Sequence, residues 1–163
     1  MIFVTVGSML PFDRMISEVD SWAATHRHEP LHAQIGNGSY EPRHMEWCRM
    51  LGPGDFANRV AQSSVTISHA GMGTVLTALE FGTPLLLFPR RADRREHTTD
   101  HQLHTAQWLA EKAGIAIIND ASNIDGAIVK AKATLATRGP FETQAPSPFL
   151  QSIGAMVDRF LET

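Results

Sequence analysis

Residues 65–68, Val-Thr-Ile-Ser, form an apolar run that ends in His69-Ala70-Gly71-Met72-Gly73-Thr74. A helical pattern opens at once with Val75, Leu76, Leu79 and Phe81. Strand, glycine turn and helix N-terminus, in that order, make an arrangement that holds a phosphate. Glycine lets the backbone approach an anion with no Cβ in the way. The first N–H groups of a helix lack internal acceptors, and the helix dipole favours negative charge beside them. Many α/β folds turn sharply after a strand with no ligand present, so the turn alone leaves both readings open. Two further glycine turns follow apolar runs: Gly7-Ser8 and Gly36-Asn37-Gly38. His97, His101 and His104 stand at i, i+4 and i+7, which on a helix would be one face and could suggest zinc. No cysteine or carboxylate pattern completes such a site, and no metal is expected. Arg90, Arg91, Arg94 and Arg95 are the densest positive cluster. They read as a solvated loop, or as a patch that draws a phosphate, a carboxylate or an anionic membrane face.

The elements that must position these residues follow from periodicity. Residues 2–6 read as a strand ending at Gly7-Ser8, and Asp13 opens a helix with Met15, Ile16, Val19, Trp22 and Ala23 on one face. Residues 31–35 are a second strand, 45–51 contain a short third one, and 53–62 are a helix. Residues 73–81 form the helix after the opening turn, stopped by Gly82-Thr83-Pro84. Leu85-Leu86-Leu87-Phe88 is an unbroken apolar run, the mark of a strand covered on both faces. A charged loop, a helix over 100–112, a strand over 115–118 and a helix over 122–136 follow. Strands alternate with helices throughout, so the class is α/β with a mainly parallel sheet. Ligands of such sheets sit outside the carboxyl ends of the strands, which would bring the three glycine turns to one edge.

The chain has 163 residues with a formal net charge of -3, 43% hydrophobic and 19% charged. That suits one globular domain with a proper core over 1–138, a Pro-rich linker over 139–147 and an amphipathic terminal helix over 148–163. The acidic balance argues against a general nucleic-acid binder. Cys48 is the single cysteine, so no internal disulfide forms and a reducing compartment, the cytoplasm, fits. No apolar run reaches the length of a membrane span. The first residues read as a strand with no charged region before it, not as a signal peptide.

Four segments together are distinctive. They are Phe3-Val4-Thr5-Val6-Gly7-Ser8 with Pro11-Phe12-Asp13; Gln34-Ile35-Gly36-Asn37-Gly38-Ser39-Tyr40-Glu41-Pro42; Ile67-Ser68-His69-Ala70-Gly71-Met72-Gly73-Thr74; and Pro89-Arg90-Arg91 with Glu96-His97 and Asp100-His101-Gln102. They resemble the family 28 glycosyltransferase C-terminal domain in its stand-alone form, over roughly residues 2–137. The resemblance implies a Rossmann-like domain that is the C-terminal, nucleotide-sugar half of a GT-B enzyme split into two polypeptides. It implies transfer of a sugar from a UDP-sugar to a lipid-linked acceptor, in exopolysaccharide or lipid-linked oligosaccharide synthesis, with no cofactor beyond the donor. A membrane-associated subunit would supply the acceptor half and the general base, holding this chain at the inner face of the membrane.

The resemblance also implies roles. Gly71, Met72, Gly73 and Thr74 form the diphosphate turn, with Gly7, Ser8, Gly36, Asn37 and Gly38 expected at the same edge. His69 matches a frequent histidine of related enzymes and is the catalytic candidate; its plain alternative is ordering the turn. Related enzymes carry a ribose-binding Glu eight residues after that histidine, where this chain has Thr77. Thr77, Glu80 one turn on, or some other group must hold the ribose. Asp100, His101 and Gln102 match a segment that holds donor-sugar hydroxyls, although Asp100 also suits a helix N-cap. Two other classes remain: a non-catalytic UDP-sugar-binding regulatory module, and a self-contained UDP-sugar epimerase or hydrolase.

Overall fold

A computed structural model describes residues 1–111 and 114–138. The expected linker over 139–147 and terminal helix over 148–163 lie outside the described residues. Six strands, β1 (Ile2–Thr5), β2 (Leu31–Gln34), β3 (Glu46–Cys48), β4 (Val65–Ser68), β5 (Leu85–Leu87) and β6 (Ile115–Ile117), form one parallel sheet in the order β3-β2-β1-β4-β5-β6. Among the described residues five α-helices lie between and after the strands: α1 (Asp13–Ala23), α2 (Pro53–Gln62), α3 (Met72–Glu80), α4 (His101–Leu109) and α5 (Ile124–Arg138).

The unbroken apolar strands alternate faces, as a pleated strand must. Val4, Ile67, Leu86 and Ala116 pack on one face with Met15, Ile16 and Val19 of α1 and Ile124 and Ala131 of α5. Phe3, Leu85, Leu87 and Ile115 pack on the other with Val60 of α2, Val75 and Leu79 of α3, and Ala106 and Leu109 of α4. Both faces are therefore covered, which is what a parallel sheet requires. The expected element order and strand runs agree with the structure.

β1 pairs with β2 on one side and β4 on the other, with Thr5 opposite both Gln34 and Ser68. The chain leaves β1 toward β2 and returns on the far side at β4. Such a reversal of strand order opens a crevice at the carboxyl ends of the two central strands. The loops there are Gly7-Ser8 and residues 69–74.

Candidate functional site

The N-terminus of α3 has no cap. Gly71 is the N-cap and offers no side chain, and the first turn holds no acidic residue. The Val75 N–H donates to the Gly71 carbonyl, the first bond of the helix. The N–H groups of Met72, Gly73 and Thr74 therefore have no helical acceptor. Met72 and Gly73 are exposed.

Two adjoining clefts meet at this helix end and share Gly7, Ser8, Gly73 and Thr74 as walls. The first, about 340 Å³, adds His69, Arg90, His97 and Gln102. The second, about 310 Å³, adds Gln34, Met50, Leu51, Pro53, Phe56 and Thr77. The first holds the charged and polar side chains Arg90, His69, His97 and Gln102, the second Gln34 and Thr77, and apolar surface makes up most of the lining of both. Among the described residues no carboxylate lines either.

The glycines of the turn serve a purpose different from the expected one. The Gly71 N–H donates to the His69 carbonyl at 2.8 Å, and the Gly7 N–H to the Thr5 hydroxyl at 3.1 Å. Neither is left for an anion. What Gly7 and Gly71 supply is room: a Cβ on either would run into the His69 ring. Gly7 also adopts a φ of 77°, which side chains strongly disfavour. The imidazole thus lies wedged between two glycines at the crevice. Burial, then the Arg90 charge and His97, lower its pKa from 6.5 to about 4 against a pull from the Thr5 backbone. At neutral pH His69 is an uncharged imidazole.

Arg90 corrects the picture of a uniformly solvated arginine cluster. It is 1% exposed. Its guanidinium donates to the carbonyls of Val6 at 3.1 Å, Leu10 at 2.7 Å and Pro11, and lies 4.5 Å from the Phe12 ring centre. It therefore fixes the loop that carries Gly7 and Ser8. Burial lowers its pKa to about 10, partly offset by Glu96, so it stays charged at neutral pH. Arg91 pairs with Asp93, while Arg94 and Arg95 are exposed.

Gln102 is buried on the first turn of α4, and its Oε1 accepts from the Arg90 N–H at 3.2 Å. That bond holds the amide oxygen at the Arg90 backbone and leaves both hydrogens of the amide nitrogen to donate. Asp100 is the N-cap of α4 by position, yet its carboxylate reaches the Ala92 N–H at 2.8 Å. His101 is exposed and bonds the Thr99 hydroxyl. Neither lines a cleft. His97 precedes α4 in a turn, so the three spaced histidines do not share a helix face. The described residues contain no group of three His, Cys, Asp or Glu side chains that could hold a metal.

The Gly36-Asn37-Gly38 turn also stands apart from both clefts. The Gly36 N–H donates to Arg49, and the Asp13 carboxylate lies beside Gly38 and takes the Ser39 N–H at 3.1 Å. This turn already has its anion, supplied by α1. Thr77 lines the second cleft, but its hydroxyl donates to the Gly73 carbonyl at 3.0 Å. Glu80, at the far end of α3, is exposed and lines neither cleft. Sequence reasoning overlooked Arg90 as a single buried anchor, and Gln34, Leu51 and Phe56 as cleft walls. For the last three the only signal was position, at a strand end and the start of a helix beside the glycine turn.

In structure the chain is similar to the kitacinnamycin glycosyltransferase, at TM-score 0.63 and 20% identity, over 83% of this chain and 35% of that one. It is similar to the calicheamicin glycosyltransferase CalG4, at TM-score 0.56 and 15% identity, over 98% and 43%. It is similar to UDP-glucose:anthocyanidin 3-O-glucosyltransferase in complex with UDP, at TM-score 0.56 and 13% identity, over 99% and 35%. These are GT-B glycosyltransferases, and the chain spans less than half the length of each. No curated protein matches the chain. The model of the glycosyltransferase family 28 C-terminal domain matches residues 1–146. With the doubly covered parallel sheet and the uncapped helix at its crevice, this establishes the chain as a member of the glycosyltransferase family 28 C-terminal domain family.

Proposed function

We propose that the chain is the donor-binding catalytic subunit of a two-subunit glycosyltransferase, moving a sugar from a UDP-sugar to a lipid-linked acceptor. The observation that carries this reading is the uncapped N-terminus of α3, with the free N–H groups of Met72, Gly73 and Thr74 between two clefts. A nucleotide-sugar has this layout: a dianionic centre with a different group on each side. The diphosphate sits on the helix end, where aligned N–H groups and the dipole stabilise the charge that grows on UDP as it leaves. The nucleoside takes the second cleft, with the Phe56 ring and Leu51; the sugar takes the first, under Gln102 and the neutral His69. UDP bound to the anthocyanidin glucosyltransferase supports the choice of nucleotide.

The acceptor and the base belong, in this reading, to a membrane-associated partner, which holds the chain at the cytoplasmic face. Among the described residues no helix is long and apolar enough to cross a membrane. The absence of a carboxylate from both clefts fits a base supplied from outside. It equally favours a second reading, a UDP-sugar-binding module without catalysis.

Gly73→Asp tests the first. A Cβ at residue 73 meets nothing within 4 Å, so the fold should survive while a carboxylate stands where the diphosphate would. Calorimetric titration should show UDP affinity falling at least about tenfold with an unchanged melting temperature. Unchanged affinity rules the site out. UDP binding without sugar transfer beside any acceptor subunit selects the second reading.

A further inference from the structure

We propose that Gln34 holds the nucleotide's ribose, accepting a hydrogen bond from a ribose hydroxyl at its Oε1. The inference rests on the UDP site proposed above and deepens it. Gln34 ends β2 and is 3% exposed. Its Nε2 donates to the Gly7 carbonyl at 3.1 Å and lies 3.5 Å from the Met50 sulfur. A carbonyl only accepts, so Gly7 fixes which way the amide faces. The Oε1 then faces away from the Gly7 carbonyl, is itself buried, and no group among the described residues donates to it. A buried, unpartnered amide oxygen is rare and costly unless a ligand completes it. Gln34 is also a wall of the second cleft, beside Gly7, Gly73 and Thr74.

Order along the ligand decides which group meets it. Gln34 is bonded directly to Gly7, one wall of the diphosphate position, on the nucleoside side. In a nucleoside diphosphate the next group from the phosphates is the ribose, before the base. Of the two residues otherwise expected to bind it, Glu80 is exposed and outside the cleft, and Thr77 has its hydroxyl fixed on the Gly73 carbonyl, whereas the Gln34 oxygen is buried with no partner among the described residues. An acceptor at the end of β2 therefore does on one wall what a glutamate on α3 would do on the other.

The test crosses ligand and protein changes, using UDP, 2′-deoxy-UDP and 3′-deoxy-UDP against the full chain, Gln34→Met and Gln34→Glu. With the native chain, removing one of the two hydroxyls should weaken binding about fivefold. With Gln34→Met that ratio should shrink to less than about twofold, whatever happens to absolute affinity. With Gln34→Glu, which keeps an acceptor, the ratio should persist even as the added charge weakens binding of the diphosphate. An unchanged ratio in Gln34→Met, or no hydroxyl dependence in the native chain, overturns the ribose role and leaves the UDP site standing. No UDP binding by the native chain overturns the site and the ribose role together.

Discussion

A glycine beside a candidate phosphate site invites one explanation, and at Gly71 a different one holds. The residue is needed because the His69 ring fills the space a Cβ would take. Gly71→Ala should therefore destabilise the fold by about 1–3 kcal/mol, the cost of overpacking a rigid ring. Gly73→Ala, in open space on α3, should be neutral or stabilising by up to about 1 kcal/mol. Urea unfolding of the two variants separates these outcomes; equal effects would disprove the wedge. His69 carries a second consequence. Its folded pKa of about 4 lies below its ordinary 6.5, so the unfolded chain binds a proton more readily. The neutral ring's contribution is present above pH 6.5 and is lost as pH falls toward 4, to a total of about 3 kcal/mol. His69→Asn should flatten that part of the stability curve, and the native His69 ring signals should not titrate between pH 6 and 8. The residue types of this turn were plain in the sequence. That two glycines serve a histidine was not, because Gly7 and His69 lie on different strand ends and meet only once β1 and β4 pair.

At the scale of elements, periodicity worked where burial is repetitive and failed where one polar group is buried for a specific partner. The apolar face of α1 was legible from Met15, Ile16, Val19, Trp22 and Ala23, all of which are buried. Asp20 lies buried with them, and nothing in its type says so. Its carboxylate accepts from the N–H groups of Arg43 and His44 and from the Tyr40 hydroxyl at 2.9 Å, fastening the segment between β2 and β3 onto α1. Burial alone would raise its pKa, but these bonds together bring it below the ordinary 3.8. The stability it adds is thus present above pH 3.8 and fades below it. Asp20→Ala strands two backbone donors and should lower stability by roughly 2–4 kcal/mol at neutral pH in denaturant melts. A change under about 0.5 kcal/mol would mean the fastening is weak. Arg90 is the same lesson with opposite charge. A run of arginines looks solvated, yet one of them is drawn inward by three carbonyls of the loop after β1. Arg90→Met should leave those carbonyls unpaired, reduce stability by about 2–4 kcal/mol and weaken UDP binding through the loop that carries Ser8. Arg90→Lys, able to serve only part of the set, should fall between.

For the whole molecule the sequence pattern already implied a parallel sheet, and strand order then determined where its crevice lies. What composition could not reveal is how little chemistry the crevice contains beyond grip. Among the described residues its walls offer amide donors, a neutral imidazole and a buried guanidinium. The chain spans 35% of one solved glycosyltransferase of this fold and 43% of another, and the proposed reaction assigns acceptor and base to a second half. Met9 and Leu10, 87% and 43% exposed, border the first cleft. Large apolar side chains left open beside the cleft fit a surface covered by the proposed partner. The proposed division of labour therefore predicts a separation of binding from turnover. The chain alone should bind UDP and UDP-sugar yet transfer no sugar to a lipid-linked acceptor. Adding the acceptor-binding subunit should raise transfer by at least about 100-fold, since base and acceptor are then held against the donor. Donor affinity should change by less than about tenfold, because every group of the proposed diphosphate grip belongs to this chain. Isothermal titration measures the first quantity and a radiolabelled-sugar transfer assay the second. Full transfer activity without a partner would place a base within this chain and defeat the split. A large gain in donor affinity with no gain in turnover would instead make the chain a binding module whose role is to deliver or sense the nucleotide-sugar.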